Sequence, residues 1–270
     1  MSEKIPTTNT ELNQAEIGCE IQLGEEIAEL EKPIKIIIEK IKNRIENGEY
    51  GLIIGDDASG RIPTRILGDF IREISRIRGH HQPNIIFIPG KLKEGMLGVV
   101  GSGERQMVQK KFEQHLSKYG AIPDKKILII TDTVFSGESL RGLADLIKEA
   151  GYVLEIATIG QEFSGPFGRP NRLADENLEG IEIVSGEFSA TKEQEEETGW
   201  AHTPMIYAKK DMSGVHKSSG YLKSERLVDE IGSYFRRDMI QDEIEQARKD
   251  AKTMTSKLID WYESQKQNEK

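Results

Sequence analysis

The sequence predicts an α/β fold: a parallel twisted sheet flanked by helices, with a hood region and a C-terminal helical extension. Two observations predict it. Between residues 33 and 160, short apolar runs of β type alternate with segments of helical period, the pattern of strands that cross over through helices to parallel neighbours. The connections are short and carry glycine where a run stops, as strand-to-helix turns do. The organisation that follows is a polar arm over 1–18, an α/β domain with its hood over 19–220, and the extension over 221–270. A chain of 270 residues is long enough for one such domain with additions.

The arm is rich in Thr, Asn and Glu and lacks apolar periodicity, so it stays outside the core. From Pro33, residues Ile34, Ile37, Ile38, Ile41 and Ile45 share one helical face, with proline suited to a first turn and Gly48 to the stop. A strand is expected over 50–54, followed by the loop GDDASGRIP and a helix with Ile62, Ile66, Phe70, Ile74 and Ile77 on its inner face. The run 85–88 closes at Pro89-Gly90, and the glycine-rich stretch from Lys91 to Gly103 reads as a mobile loop before a helix over 104–119. Residues 126–131 form the next apolar strand. The loop DTVFSGESL follows, then a helix whose face is Leu140, Leu143, Ala144 and Ile147 and which Gly151 ends.

Strands over 152–159 and 181–184 complete the predicted sheet, and the hood falls in Ile159 to Lys217, where no period is legible. In the extension, Ile240, Ile244, Ala247, Ala251, Met254, Leu258 and Trp261 alternate steps of four and three, an a/d seam. Such a seam packs on its own domain or on a second chain, so self-association through this helix is one expectation.

Composition narrows the partners. Lys plus Arg number 37 against 46 Asp plus Glu, a net charge of -9, which opposes non-specific coating of nucleic acid or anionic membrane. The single Cys19 provides neither an intramolecular disulfide nor a cysteine-rich zinc centre, in keeping with a reducing compartment. No run approaches the roughly 20 apolar residues of a membrane span, and the expectation is a soluble, cytoplasmic protein. His80-His81 end a basic helix and suit its dipole. His202 and His216 lack carboxylates or cysteines at metal spacing. Trp200, Tyr207 and Tyr221 suit a base stack or a core.

The sharpest chemical signal is ILIITDTVFSGESL over 127–140. It places small and hydroxyl residues between an apolar strand and a helix N-terminus, where unpaired N–H groups and the helix dipole favour a phosphate. Asp132, at the end of that strand, can hold two sugar hydroxyls or a magnesium-bound water, or can cap the turn. The run ITDTVFSGESL resembles the phosphoribosyl-diphosphate signature of the type I phosphoribosyltransferases: an apolar strand, an acidic pair, two apolar residues, a small residue, Ser or Thr, Gly, and a final Thr or Ser before Leu.

The resemblance implies that Asp132 is the second acid, contacting ribose and Mg2+. It also implies that Phe135, Ser136, Gly137, Glu138 and Ser139 cradle the 5′-phosphate, with Thr131 and Thr133 beside them. Thr131 departs from the pattern, standing where the first acid is usual. The segment IIGDDASGRIPTRIL over 53–67 is similar to the family's pyrophosphate loop, which assigns Asp57, Ala58, Ser59, Gly60 and Arg61 to the pyrophosphate. Asp56 and Asp57 depart from it by adding negative charge, and Asp57 then either helps hold Mg2+ or makes an Asx turn. The loop from Lys91 to Arg105 occupies the place of the family's closing loop, with Lys91, Lys93 and Arg105 as its cations.

By this resemblance the chain binds phosphoribosyl diphosphate, or a nucleotide monophosphate, with Mg2+. It then transfers phosphoribosyl to a nitrogen acceptor such as a nucleobase. The alternative is a non-catalytic nucleotide-sensing module of the same fold, which Thr131 and the paired Asp56-Asp57 favour.

Overall fold

A computed structural model describes residues 23, 25–56, 60–88, 102–134, 136–161, 172–188 and 226–268. Helices α1 (Glu25–Ala28) and α2 (Glu31–Glu46) lead into strand β1 (Tyr50–Asp56). A continuous helical segment follows: α3 (Arg61–Pro63), a π-turn (Thr64–Gly68) and α4 (Asp69–Ile77). Then come β2 (Asn84–Ile88), α5 (Ser102–Lys118), β3 (Lys126–Val134), α6 (Glu138–Glu149) and β4 (Leu154–Gln161). The short α7 (Arg172–Asn177), β5 (Glu182–Phe188) and the long α8 (Arg226–Asn268) complete the order.

The expected parallel α/β sheet is present, with five strands in the order β2-β1-β3-β4-β5 and every pairing parallel. Both faces are covered, so the central strands are apolar on both sides. Along β1 and β3, Ile53, Leu128 and Ile130 face the core shared with α2, α4 and α8. Their neighbours Leu52, Ile54, Ile127 and Ile129 face the core shared with α5 and α6. Each isoleucine taken from water contributes about 1.5–3 kcal/mol, and α2 buries Ile34, Ile37, Ile38, Ile41 and Ile45 completely. That is the face the spacing predicts.

The strand order has a consequence for ligands. From β1 the chain runs to β2 on one side, while β3, on the other side, leads away to β4 and β5. The carboxyl ends of β1 and β3 therefore open a crevice at a topological switch point, where ligands of open α/β sheets sit.

Three details differ from the sequence reading. Strand β3 runs three residues further than its apolar stretch, because Thr133 and Val134 still pair with Gly160 and Gln161 of β4. Of the predicted inner face, Ile62, Ile66, Phe70 and Ile74 are buried, with Leu67 and Ile71 beside them, while Ile77 at the end of α4 is 39% exposed. Among the described side chains of α8 the buried apolar ones are Ala247, Ala251, Met254, Leu258 and Tyr262, with Trp261 only partly buried against the core. A straight helix on a globular surface drifts out of a seven-residue repeat within a few turns. This part of the seam packs on the chain's own domain, against α1, α2, α3, the π-turn and α4. Among the described residues, no helix is long and apolar enough to cross a membrane.

Candidate functional site

Two strand ends and two loop ends meet at the crevice. After β1, the N–H of Gly60 donates to the Asp56 carbonyl at 3.0 Å, closing the loop back onto its strand. A side chain at Gly60 has no room, since an added Cβ would lie 2.6 Å from the Asp56 carbonyl oxygen and 2.7 Å from that of Ile130. The start of α3 is thus wedged between the ends of β1 and β3. Thr64 strengthens the junction from the π-turn: it is fully buried and its hydroxyl donates to the Ile130 carbonyl at 3.4 Å.

After β3 the chain turns through Ser136 and Gly137 into α6. Gly137 adopts φ 71°, in the left-handed region that glycine tolerates best, and its absent Cβ would meet Leu178 at 2.8 Å. The Ser136 hydroxyl accepts the Glu138 N–H at 3.4 Å, and Asn177 of α7 donates its amide to the Ser136 carbonyl at 2.8 Å. This turn sets the N-terminus of α6 beside the end of β3, where the helix dipole favours an anion.

Between the two turns lie three oxygen-bearing side chains. The Thr131 hydroxyl is within 3.3 Å of Asp56 Oδ2 and 3.4 Å of Asp132 Oδ1. Its one proton serves one of them at a time. Asp132 Oδ1 also accepts the Thr133 N–H at 2.7 Å, and its backbone carbonyl accepts the Thr158 hydroxyl of β4 at 3.2 Å. Thr131 and Asp132 are buried, while Asp56 is partly exposed.

The structure therefore brings Thr131, Asp132, Thr133, Ser136, Gly137, Glu138 and Gly60 to one crevice, with Ser139 in the first turn of α6 and Arg61 opening α3. The Arg61 guanidinium stacks on the Phe87 ring at 4.9 Å. Phe135, Asp57, Ala58, Ser59, Lys91 and Lys93 lie outside the described residues, as do His202, His216, Trp200, Tyr207, Tyr221 and most of the hood. Arg105 falls within α5 and pairs with Glu149 in the last turn of α6. A helix of 12 residues is about 18 Å long, so that pair sits far from the Gly137 turn. His80 is half-buried and accepts no exposed role: its Nε2 lies 2.7 Å from the Glu46 carbonyl, at the C-terminus of α2 rather than of its own helix.

Two sets of contacts escaped the sequence reading. Asp56 meets Thr131 across adjacent strands, 75 positions away in the chain, and no local spacing announces that. Asn177 and Leu178, which support the Gly137 turn, fall in a region with no legible period. Among the described residues, no group of three or more His, Cys, Asp or Glu side chains converges as a metal cage. Two carboxylates and a hydroxyl are hard oxygen donors of the sort Mg2+ uses when ligand phosphates complete its shell, so the residues fit that ion.

No family model matches the sequence, and no curated protein does. Among solved structures, a purine phosphoribosyltransferase from Pyrococcus horikoshii Ot3 is similar over 59% of this chain and 93% of its own, at 17% identity and a TM-score of 0.28.

Proposed function

We propose that the crevice between β1 and β3 binds phosphoribosyl diphosphate with Mg2+ and that the chain transfers the phosphoribosyl group to a nitrogen acceptor such as a nucleobase. The observation that carries this reading is the position of Thr131 between Asp56 and Asp132. The signature at 130–140 lacks its first acid, and the fold supplies a second carboxylate to the same spot from the neighbouring strand.

Each part then has a physical task. The Gly137 turn and the start of α6 anchor the 5′-phosphate through N–H groups and the helix dipole. Asp132, held by the Thr133 N–H, accepts hydrogen bonds from the ribose hydroxyls. The loop closed at Gly60 brings backbone close to the pyrophosphate. Bound Mg2+ would neutralise charge on the departing pyrophosphate, with Asp132 and Asp56 as its protein ligands and Asp57 adding a third carboxylate from the loop. The C–O bond from the anomeric carbon to pyrophosphate breaks as the bond to the acceptor nitrogen forms, and fixed dipoles aimed at these charges supply most of the acceleration.

A second reading, a non-catalytic nucleotide sensor, is favoured by one residue. Thr131 cannot carry the charge of the acid it replaces. Pyrophosphate release from phosphoribosyl diphosphate and Mg2+ across a panel of nucleobases separates the two. Transfer predicts release that depends on the base and drops at least a hundredfold in Asp132→Asn. Binding of the ligand with no release from any base would leave the sensor, and no binding at all would remove both.

A further inference from the structure

A second cluster of cations lies away from the crevice, between α4 and α8. There a cavity of about 680 Å³ is lined by Arg65 and Arg72 on one side and by Arg248 and Lys252 on the other. Each pair occupies one face of its helical segment, since residues four or seven apart lie one above the other. Ala251 and Ile259 supply apolar wall, and Thr255 and Ser256 supply hydroxyls. The volume lies within the range of small-ligand sites, about 300–1,000 Å³.

The charge within this lining does not balance. Of its two acids, Glu73 is already engaged by Arg76, which donates Nε to Oε2 at 2.9 Å and Nη2 to Oε1 at 2.5 Å from outside the cavity. Asp69 lies 3.7 Å from Arg72 Nη1. Asp69 is thus the one carboxylate of the lining left to its four cations, and Arg72 already pairs with it. Among the described residues, neither Arg248 nor Lys252 joins an ion pair, and Arg72 Nε is buried without a hydrogen-bond partner. A buried donor with no acceptor is unfavourable, and clustered guanidinium groups repel one another, so the arrangement suits an anion with several acceptor oxygens.

We propose that this cavity is a binding site for a phosphorylated small molecule of nucleotide size, distinct from the crevice and independent of Mg2+. The phosphate oxygens meet Arg65, Arg72, Arg248 and Lys252, and the rest of the ligand lies along Ala251 and Ile259. Its wall is tied to the crevice by short links. Thr255 donates to the Ile66 carbonyl of the π-turn at 3.3 Å, and Thr64, next to Arg65, reaches the Ile130 carbonyl at 3.4 Å.

Calorimetric titration of the full chain with inorganic pyrophosphate in the presence of EDTA tests the site, with the Arg248 and Lys252 variants assigning the signal to this cavity rather than to the Gly137 turn. The wild type binds, the Arg248→Ala, Lys252→Ala double variant binds at least tenfold more weakly, and Lys249→Ala, an exposed residue of α8 outside the lining, binds as the wild type does. The single substitution Arg248→Gln keeps the test open if the double variant does not fold. Absence of binding by the wild type, unchanged affinity in the Arg248 variants, or an equal loss in Lys249→Ala each overturns the proposal. Failure of the crevice is a separate outcome, since Asp132→Asn leaves this titration unchanged.

Discussion

The two ends of the sheet are both polar, and they are built differently. At the amino end, Arg44 of α2 donates to Glu155 at 2.7 Å and to Glu182 at 2.5 Å. Tyr50 donates to Glu155 at 3.1 Å, and Lys126 sits 3.7 Å from Glu155 and 3.4 Å from Glu49. The members lie at or beside strand starts and in the last turn of α2. Burial pushes the Glu155 carboxyl up against the opposing pull of Arg44, the signature of a desolvated acid kept in place by its cations. At the carboxyl end, the same kind of residue is set among glycines, a threonine hydroxyl and backbone N–H groups. An end closed by its own ion pairs serves the fold, and an end made of close backbone approach and carboxylates serves a ligand.

Substitutions at the two ends should therefore separate stability from binding. The largest effect is expected from Glu155→Ala, which leaves Arg44 and Tyr50 without their shared acceptor and costs about 3 kcal/mol in urea unfolding, with affinity for phosphoribosyl diphosphate unchanged in the folded fraction. Gly60→Ala sharpens the comparison from the other side. Its Cβ meets two backbone carbonyls that cannot swing away, so about 1–3 kcal/mol of stability and at least tenfold in affinity are lost together. Loss of affinity in Glu155→Ala, or its retention in Gly60→Ala, would blur the division.

A smaller effect concerns the clasp that holds the end of α8. Glu46 accepts from Arg78 at 2.9 Å, Tyr262 at 2.7 Å and Lys266 at 2.5 Å. Burial pushes its carboxyl up, but the hydrogen bonds from Arg78, Lys266 and Tyr262 outweigh this and hold it at about 2. A carboxylate depressed in the folded state stabilises above its unfolded value and loses that contribution as pH falls through the folded one. Thermal stability should accordingly decline from about pH 4.5 toward pH 2, and Glu46→Gln should cost about 1–2 kcal/mol at neutral pH while flattening that decline. An acid decline as steep in the variant as in the wild type would place the sensitive group elsewhere. The smallest expected change is Lys35→Ala, which removes the cation over the Trp261 ring at 4.9 Å and about 0.5 kcal/mol from the same packing of α8.

Much of this was legible in the sequence because the cores are periodic. The isoleucines of α2, the apolar run of β3 and the Leu140–Ile147 face state their burial through spacing alone. The turn at Ser136-Gly137 was legible for a similar reason, since its chemistry is local to a strand and the helix after it. Contacts between distant segments were not. Asp56 reaches Thr131 only once β1 and β3 are paired, and Asn177 reaches Ser136 only once α7 has packed. The clasp at Glu46 joins residues from α2, α4's C-terminal turn and α8, and the cavity beside Arg248 joins two helices whose cations read singly as ordinary surface charge.

The central claim is that the ligand is held at the carboxyl ends of β1 and β3. The most direct measurement is calorimetric titration of phosphoribosyl diphosphate with Mg2+ into the wild type, Asp132→Asn and Arg44→Ala at a temperature where all three are folded. Affinity should fall at least tenfold in Asp132→Asn, with inorganic phosphate binding as before, and stay at the wild-type value in Arg44→Ala. Equal affinity in the wild type and Asp132→Asn would contradict the claim.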